Sequence, residues 1–239
     1  MSKKQKNRLI FAILYFLIIL ITIYFEDDIN RLYNKIMGVT VKSYSIDEIP
    51  EYNGMDYDVI NKNEPDFKED NIVKNSFEQY SNLDMYGRCG VAYANLGLDT
   101  MPTSERERIG SVKPSGWQIS KYNFIEGKYL YNRCHLIGYQ LSGENANEKN
   151  LITCTRQMNS IGMLQFENKV ASYIRKTGNH VLYRVSPIFK DKNLIAEGVQ
   201  MEALSVEDKG KGIRFNVFVY NVQDKVIIDY KDGSNRLAH

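Results

Sequence analysis

One stretch constrains this 239-residue chain more than any other: residues 9–25 read LIFAILYFLIILITIYF, an uninterrupted apolar run with no charged side chain. A helix rises about 1.5 Å per residue, so the run reaches the short limit for crossing a hydrocarbon core of about 30 Å. A cleavable leader would have a shorter apolar core and small residues at its end. Here Ile21, Ile23, Tyr24 and Phe25 lead straight into Glu26, Asp27 and Asp28. The run offers no polar face, which argues against a buried core helix and for an uncleaved transmembrane signal anchor. Lys3, Lys4, Lys6 and Arg8 precede it and three acids follow it. By the positive-inside bias, residues 1–8 are a cytoplasmic basic tail and residues 26–239 lie outside the cell membrane.

Beyond the anchor, Ile29, Leu32, Tyr33, Ile36 and Met37 recur at helical spacing up to Gly38, so residues 26–45 are expected to form an extracellular stalk that extends the helix. Residues 46–239 read as one domain without repeats or low-complexity segments. Strands are predicted at 57–61, 90–95, 128–138, 181–189, 199–205 and 213–220, where β-branched and aromatic residues run between Gly, Asn, Asp and Lys. Met163, Phe166, Val170 and Ile174 form a stripe at steps of three and four that predicts a helix stopped by Gly178. The expected fold class is α+β with a mostly antiparallel central sheet.

The formal charge of +2 hides an asymmetry. Without the first 25 residues the chain holds 27 basic against 29 acidic residues, so a polyanion has to be held by a local patch. Residues 101–160 are such a patch, with Arg106, Arg108, Lys113, Lys121, Lys128, Arg133, Lys149 and Arg156 outnumbering five glutamates. Cys89, Cys134 and Cys154 allow one disulfide in an exported domain and leave one thiol over, with the pairing open. No Cys or His spacing suits zinc.

Of the three histidines, His239 is terminal, and His180 at the start of a strand reads as a structural, hydrogen-bonded residue. His135 stands apart. It lies in NRCHLIGYQLSGENANEKNLITCTRQMN, where a strand carrying Arg133 and His135 runs into a loop containing Asn145, Asn147 and Asn150, followed by Asn159. Alternate residues of a strand share a face, so Arg133 and His135 point one way and Cys134 the other, which excludes a Cys134–His135 nucleophile and base pair. What remains is a base beside a cation and a carboxamide-rich loop, a set that suits a hydrated hard metal ion and a phosphate.

This string, together with LDMYGRCGVAYANLG, MPTSERERIGSVKPSGWQ, GMLQFENKVASYI and FNVFVYNVQ, resembles the DNA/RNA non-specific endonucleases of the ββα-metal (His-Me finger) class. The nearest likeness is to exported streptococcal DNases and membrane-anchored nucleases of DNA uptake. It spans about residues 46–230. The resemblance implies His135 as the general base, Asn159 as the direct ligand of a largely hydrated Mg²⁺, with Mn²⁺ a candidate substitute, and Glu167 as the carboxylate that holds metal-bound water. It implies Asn150 as a support of the metal-site geometry and Arg133 as a contact to the scissile phosphate, with Arg106 or Arg108 as a second contact. Asn132 and Cys134 stand where the commoner Asp-Arg-Gly-His pattern has Asp and Gly, and the streptococcal branch tolerates the asparagine.

The chemistry accounts for these residue types. Phosphodiester hydrolysis builds negative charge on the phosphoryl oxygens and the leaving 3′ oxygen, which a dication and an arginine stabilise. A neutral carboxamide ligand leaves the ion its full charge. The sequence thus predicts a metal-dependent, membrane-anchored, outward-facing endonuclease acting on DNA, with RNA a second candidate substrate, leaving 5′-phosphate and 3′-hydroxyl ends. The alternative in another class is a non-cleaving surface receptor that hands DNA to an uptake machinery. A cell-wall or phospholipid hydrolase would leave the asparagine loop unexplained.

Overall fold

The structure, a computed structural model, describes residues 3–24, 46–67 and 75–238. The chain divides into two compact units, Met1–Ser43 and Tyr44–His239. In the first, α1 (Lys3–Tyr24) contains most of the apolar run, and the side chains at 11–17 are all exposed. Among the described residues, no helix is long and apolar enough to cross a membrane. The stalk predicted over 26–45 lies outside the described residues.

The second unit is α+β. Its main sheet has six strands, β1 (Tyr57–Val59), β2 (Phe77–Tyr80), β3 (Ala92–Leu96), β6 (Val181–Ile188), β7 (Gly198–Ser205) and β8 (Arg214–Tyr220), in the order β1-β8-β7-β6-β3-β2 with every neighbour antiparallel. Two ribbons stand apart: β4 (Tyr131–His135) with β5 (Leu151–Thr155), and β9 (Val226–Ile228) with β10 (Asn235–Leu237). Between β4 and β5 lies one helical turn, α2 (Tyr139–Ser142). After β5 the chain makes a π-helical turn, Met158–Met163, and continues as α3 (Leu164–Thr177).

All six predicted strands are present, most of them shortened at an end. The strand expected over 128–138 stops at His135: the Leu136 N–H still reaches the Asn150 carbonyl at 2.9 Å, but the Asn150 N–H turns back to the Asn147 carbonyl at 3.0 Å and leaves the next pair incomplete. The first stops at Val59, with Asn61 at φ 47° outside extended backbone. Strands β2, β5, β9 and β10 were not anticipated. β2 and the two ribbon strands β9 and β10 are only three or four residues long, and LITCT carries no turn signal of its own.

Strand alternation builds the core. Val181, Tyr183 and Val185 of β6, Val199, Met201 and Ala203 of β7, and Phe215, Val217 and Val219 of β8 face one side, where Phe166, Val170 and Ile174 of α3 cover them. This is the predicted helical stripe, and α3 ends at Gly178 in the left-handed conformation (φ 71°) that glycine adopts without a Cβ clash. Cys134, Ile152 and Cys154 of the β4–β5 ribbon join the same core, and Cys134 and Cys154 form the disulfide, with Cα atoms 5.8 Å apart. Cys89 is the remaining thiol; burial pushes its pKa up to about 12, so it is unreactive.

The opposite face of the sheet has a buried polar centre between apolar ends at Leu182 and Phe218. Glu202, fully buried, accepts from Arg184 Nε at 2.7 Å and from the Asp66 backbone N–H at 2.8 Å, and Arg184 also donates to the Asp66 carbonyl at 2.9 Å. Asn216 Nδ2 donates to the Glu64 carbonyl at 2.8 Å, so residues 64–66 close this face as a strap. Removing one partner of a buried ion pair costs about 3–5 kcal/mol because the other charge stays desolvated. Glu202→Ala should therefore lower the unfolding free energy by about that much in a urea titration; a loss under about 1 kcal/mol would show that the strap is held by something else.

Candidate active site

The site is built on the β4–β5 ribbon and on the π turn that follows it. His135 is the last residue of β4 and is buried, with only 6% of its surface exposed. Its Nε2 lies 2.7 Å from the Asn145 backbone carbonyl. A carbonyl only accepts, so Nε2 carries the proton and Nδ1 holds the lone pair. On that side the Arg106 guanidinium approaches Nδ1 at 3.4 Å. Burial holds the His135 pKa below the ordinary 6.5; the hydrogen bond to Asn145 opposes this and the charge of Arg106 adds to it. The imidazole is thus a neutral base of defined tautomer.

Asn150 is fully buried and positions this residue rather than facing a ligand. Its Oδ1 accepts from the Ile137 N–H at 2.9 Å and its Nδ2 donates to the Ile137 carbonyl at 3.0 Å, which clamps the chain just past His135. Asn147 caps the preceding turn by accepting from the Lys149 N–H at 3.0 Å.

Asn159 and Glu167 come to one cleft of about 440 Å³ together with His135, Arg106 and Arg156. Asn159 lies in the π turn, and no protein group among the described residues hydrogen-bonds its side chain. Glu167 is on the first turn of α3. Burial pushes its pKa up to about 7, against weaker lowering by a hydrogen bond from Gln140 and the charge of Arg106. Gly138 makes room for it, since a Cβ there would sit 2.6 Å from Glu167 Oε2. Among the described residues no three His, Cys, Asp or Glu side chains gather as a metal cage. The donor set is one uncommitted carboxamide and one carboxylate whose pKa burial raises, which fits a hard cation that keeps most of its waters.

Arg133 and His135 lead to adjoining grooves. The Arg133 guanidinium stacks on Trp117 at 3.9 Å from the ring centre, donates from Nε to the Val112 carbonyl, and reaches the Gly110 carbonyl at 3.0 Å. It lines a second groove of about 490 Å³ that shares Arg106, Arg156 and Asn159 with the first. Arg106 borders both grooves, while Arg108 borders neither. Arg156, on the turn after β5, was not singled out as a site residue by sequence reasoning, nor was Gly138. Arg156 is counted in the basic patch of residues 101–160, and the place of Gly138 just after His135 is the signal for the glycine. His180 bonds Glu207 at 2.7 Å, away from the cleft, as a structural histidine does.

Residues 69–207 match the family described as DNA/RNA non-specific endonuclease. Among solved structures, NucA from Streptococcus agalactiae is similar in fold. With magnesium bound it is 24% identical over 75% of this chain and 87% of that one, with a TM-score of 0.66. Without metal the same protein aligns over 81% of this chain and 92% of that one, at 24% identity and a TM-score of 0.68. The Sda1 nuclease with bound zinc is 28% identical over 68% of this chain and 80% of that one, with a TM-score of 0.57. The family match takes in more than half of the chain, His135 and the whole β4–β5–α3 segment included, and the protein belongs to the DNA/RNA non-specific endonucleases, enzymes that hydrolyse phosphodiester bonds.

Proposed function

We propose that this chain is a membrane-tethered, outward-facing endonuclease that cleaves DNA, and RNA by the same chemistry, using a single Mg²⁺ and leaving 5′-phosphate and 3′-hydroxyl ends. The observation that carries the reading is the Nε2–H bond from His135 to Asn145, which leaves Nδ1 as a buried neutral base on the cleft that Asn159 and Glu167 also line. In this reading His135 Nδ1 takes the proton of the attacking water, and the Asn145 carbonyl stabilises the imidazolium that results. Asn159 Oδ1 would hold the dication directly and Glu167 through its waters; when bound, the ion supplies Lewis acidity toward the phosphoryl and leaving oxygens. The zinc and magnesium in Sda1 and NucA support a divalent ion. Arg106 and Arg156 donate to the phosphate, and Arg133 shapes the adjoining groove by holding the 110–112 turn. Backbone contacts of this kind carry no base information, as suits a non-specific enzyme.

Membrane tethering rests on the apolar run and on the exposure of every described side chain from 11 to 17. Protease added to intact cells should digest residues 26–239, and protection of the domain until lysis would reverse the topology.

His135→Ala should lower plasmid cleavage by about 10²–10⁴-fold with DNA binding retained, the usual contribution of a general base; a loss within threefold would remove it from that role. Because burial lowers the His135 pKa, the neutral base persists below the pH at which a free histidine protonates. In a Glu167→Gln background, which removes the carboxyl whose own midpoint burial raises to about 7, the acid limb of kcat/KM should therefore have its midpoint below 6.5, and a midpoint above that value would contradict the desolvated base.

Mg²⁺ titration of the rate separates the remaining roles. Asn159→Ala should raise the Mg²⁺ requirement most, Asn159→Asp should keep affinity and lose rate, and Glu167→Ala should cost about 10–100-fold. Gly138→Ala should mimic Glu167→Ala at little cost in stability, because the atom its Cβ meets is the end of a flexible side chain. An Asn159→Ala enzyme with wild-type Mg²⁺ dependence would exclude it as the ligand.

A further inference from the structure

The second groove has a chemistry the hydrolytic step does not use. Away from the three residues it shares with the cleft, its lining includes Trp117, Ile119, Tyr129, Asn132 and Arg133. Ile119 is 73% exposed and Tyr129 48% exposed, although both are large and apolar. They are not loose ends of the core: Trp117 packs into the cluster around Leu130 and Tyr131, whereas Ile119 and Tyr129 stay outside it. The Lys121 ammonium sits 4.6 Å from the centre of the Tyr129 ring, and Lys121 and Tyr129 are bridged across their backbones. One ring face is therefore taken by a cation, and Tyr129 also lines the groove. Asn132 Nδ2, on the same wall, is buried and has no hydrogen-bond partner among the described residues.

We infer that this groove is a nucleobase-stacking subsite: Tyr129, with Ile119 beside it, takes an unpaired base of the strand whose phosphate lies in the cleft. Three observations select this occupant. The groove continues the cleft through Arg106, Arg156 and Asn159, so a strand held at the scissile phosphate runs directly into it. Its cations, Arg106, Arg133 and Arg156, complement a sugar–phosphate backbone, while its exposed surface is an aromatic ring with an aliphatic neighbour, which every base matches regardless of sequence. Tyr129 precedes β4 by two residues and lines this groove together with Tyr131 and Arg133, so the ring stands on the wall that leads toward His135 at the end of β4. A base inside a duplex has no free face to offer, so the subsite favours single strands and frayed ends over intact duplex.

The inference rests on the nuclease reading of the cleft, and the test separates the two. Full-length protein is assayed on a single-stranded oligonucleotide and on the same sequence as a closed hairpin duplex. Binding of the fluorescently labelled single strand is measured in EDTA. Tyr129→Ala should raise the single-strand KM and the EDTA dissociation constant by about five- to tenfold. The duplex KM should change less than about twofold, and Tyr129→Trp should restore the single-strand values. Replacing the oligonucleotide's bases by abasic sites should weaken binding to wild type but not further weaken Tyr129→Ala. Equal effects on single strand and duplex, or an unchanged single-strand KM, would overturn the subsite. Wild-type protein that binds in EDTA with this pattern but cleaves nothing when Mg²⁺ is added would sink the catalytic reading and leave the subsite standing.

Discussion

The site depends on a two-stranded ribbon, and two strands alone are marginal in water. β4 and β5 pair over five residues each, and everything catalytic hangs from their ends. What holds them is a small number of buried amides. Asn221, fully buried just beyond β8, accepts from the Thr155 N–H at 2.9 Å and donates to the Thr153 carbonyl at 3.2 Å and the Ala196 carbonyl at 3.0 Å. It therefore ties the ribbon to the main sheet. Asn150 clamps the far end at Ile137, and the Cys134–Cys154 disulfide joins the two strands on their core side. In a low-dielectric interior each such amide is costly to leave unpaired, so the satisfied network specifies one ribbon geometry and with it one orientation of His135.

Burial acts on the two ionisable groups of the cleft in the same physical sense, by disfavouring charge. It lowers the base and raises the acid, so the site holds a neutral His135 and a Glu167 near its own midpoint at about 7. Arg106 is the charge that both of them feel. The cleft thus presents the cationic donors Arg106 and Arg156 toward a phosphate, although the domain carries a slight excess of acid. Local arrangement, not net charge, makes a polyanion welcome.

The π turn solves a phase problem. In an unbroken α-helix, residues eight apart are rotated by about 80° from one another. Asn159 and Glu167 are eight apart and line one cleft, and the wider turn at Met158–Met163 between β5 and α3 is what alters the phase. Such single π turns are frequent at functional sites because they place a side chain where α geometry cannot.

Sequence alone determined the elements whose signals are local. The alternation in β6, β7 and β8, the Phe166–Val170–Ile174 stripe and the Gly178 stop are periodicities that a chain carries wherever it folds, and they sufficed for the α+β class. The spacing of His135, Asn150, Asn159 and Glu167 likewise pointed to the family before any contact was known. Only the tertiary structure decided which arginine meets the base. Arg106 and His135 are 29 residues apart and β4 alternation favoured Arg133, but the guanidinium of Arg133 gains more by stacking on Trp117 and binding two carbonyls. Strand β5, the π turn and the closeness of Gly138 to Glu167 were hidden for the same reason. Each is defined by a partner distant in sequence, and a pattern read along one strand or helix has no information about what packs across it.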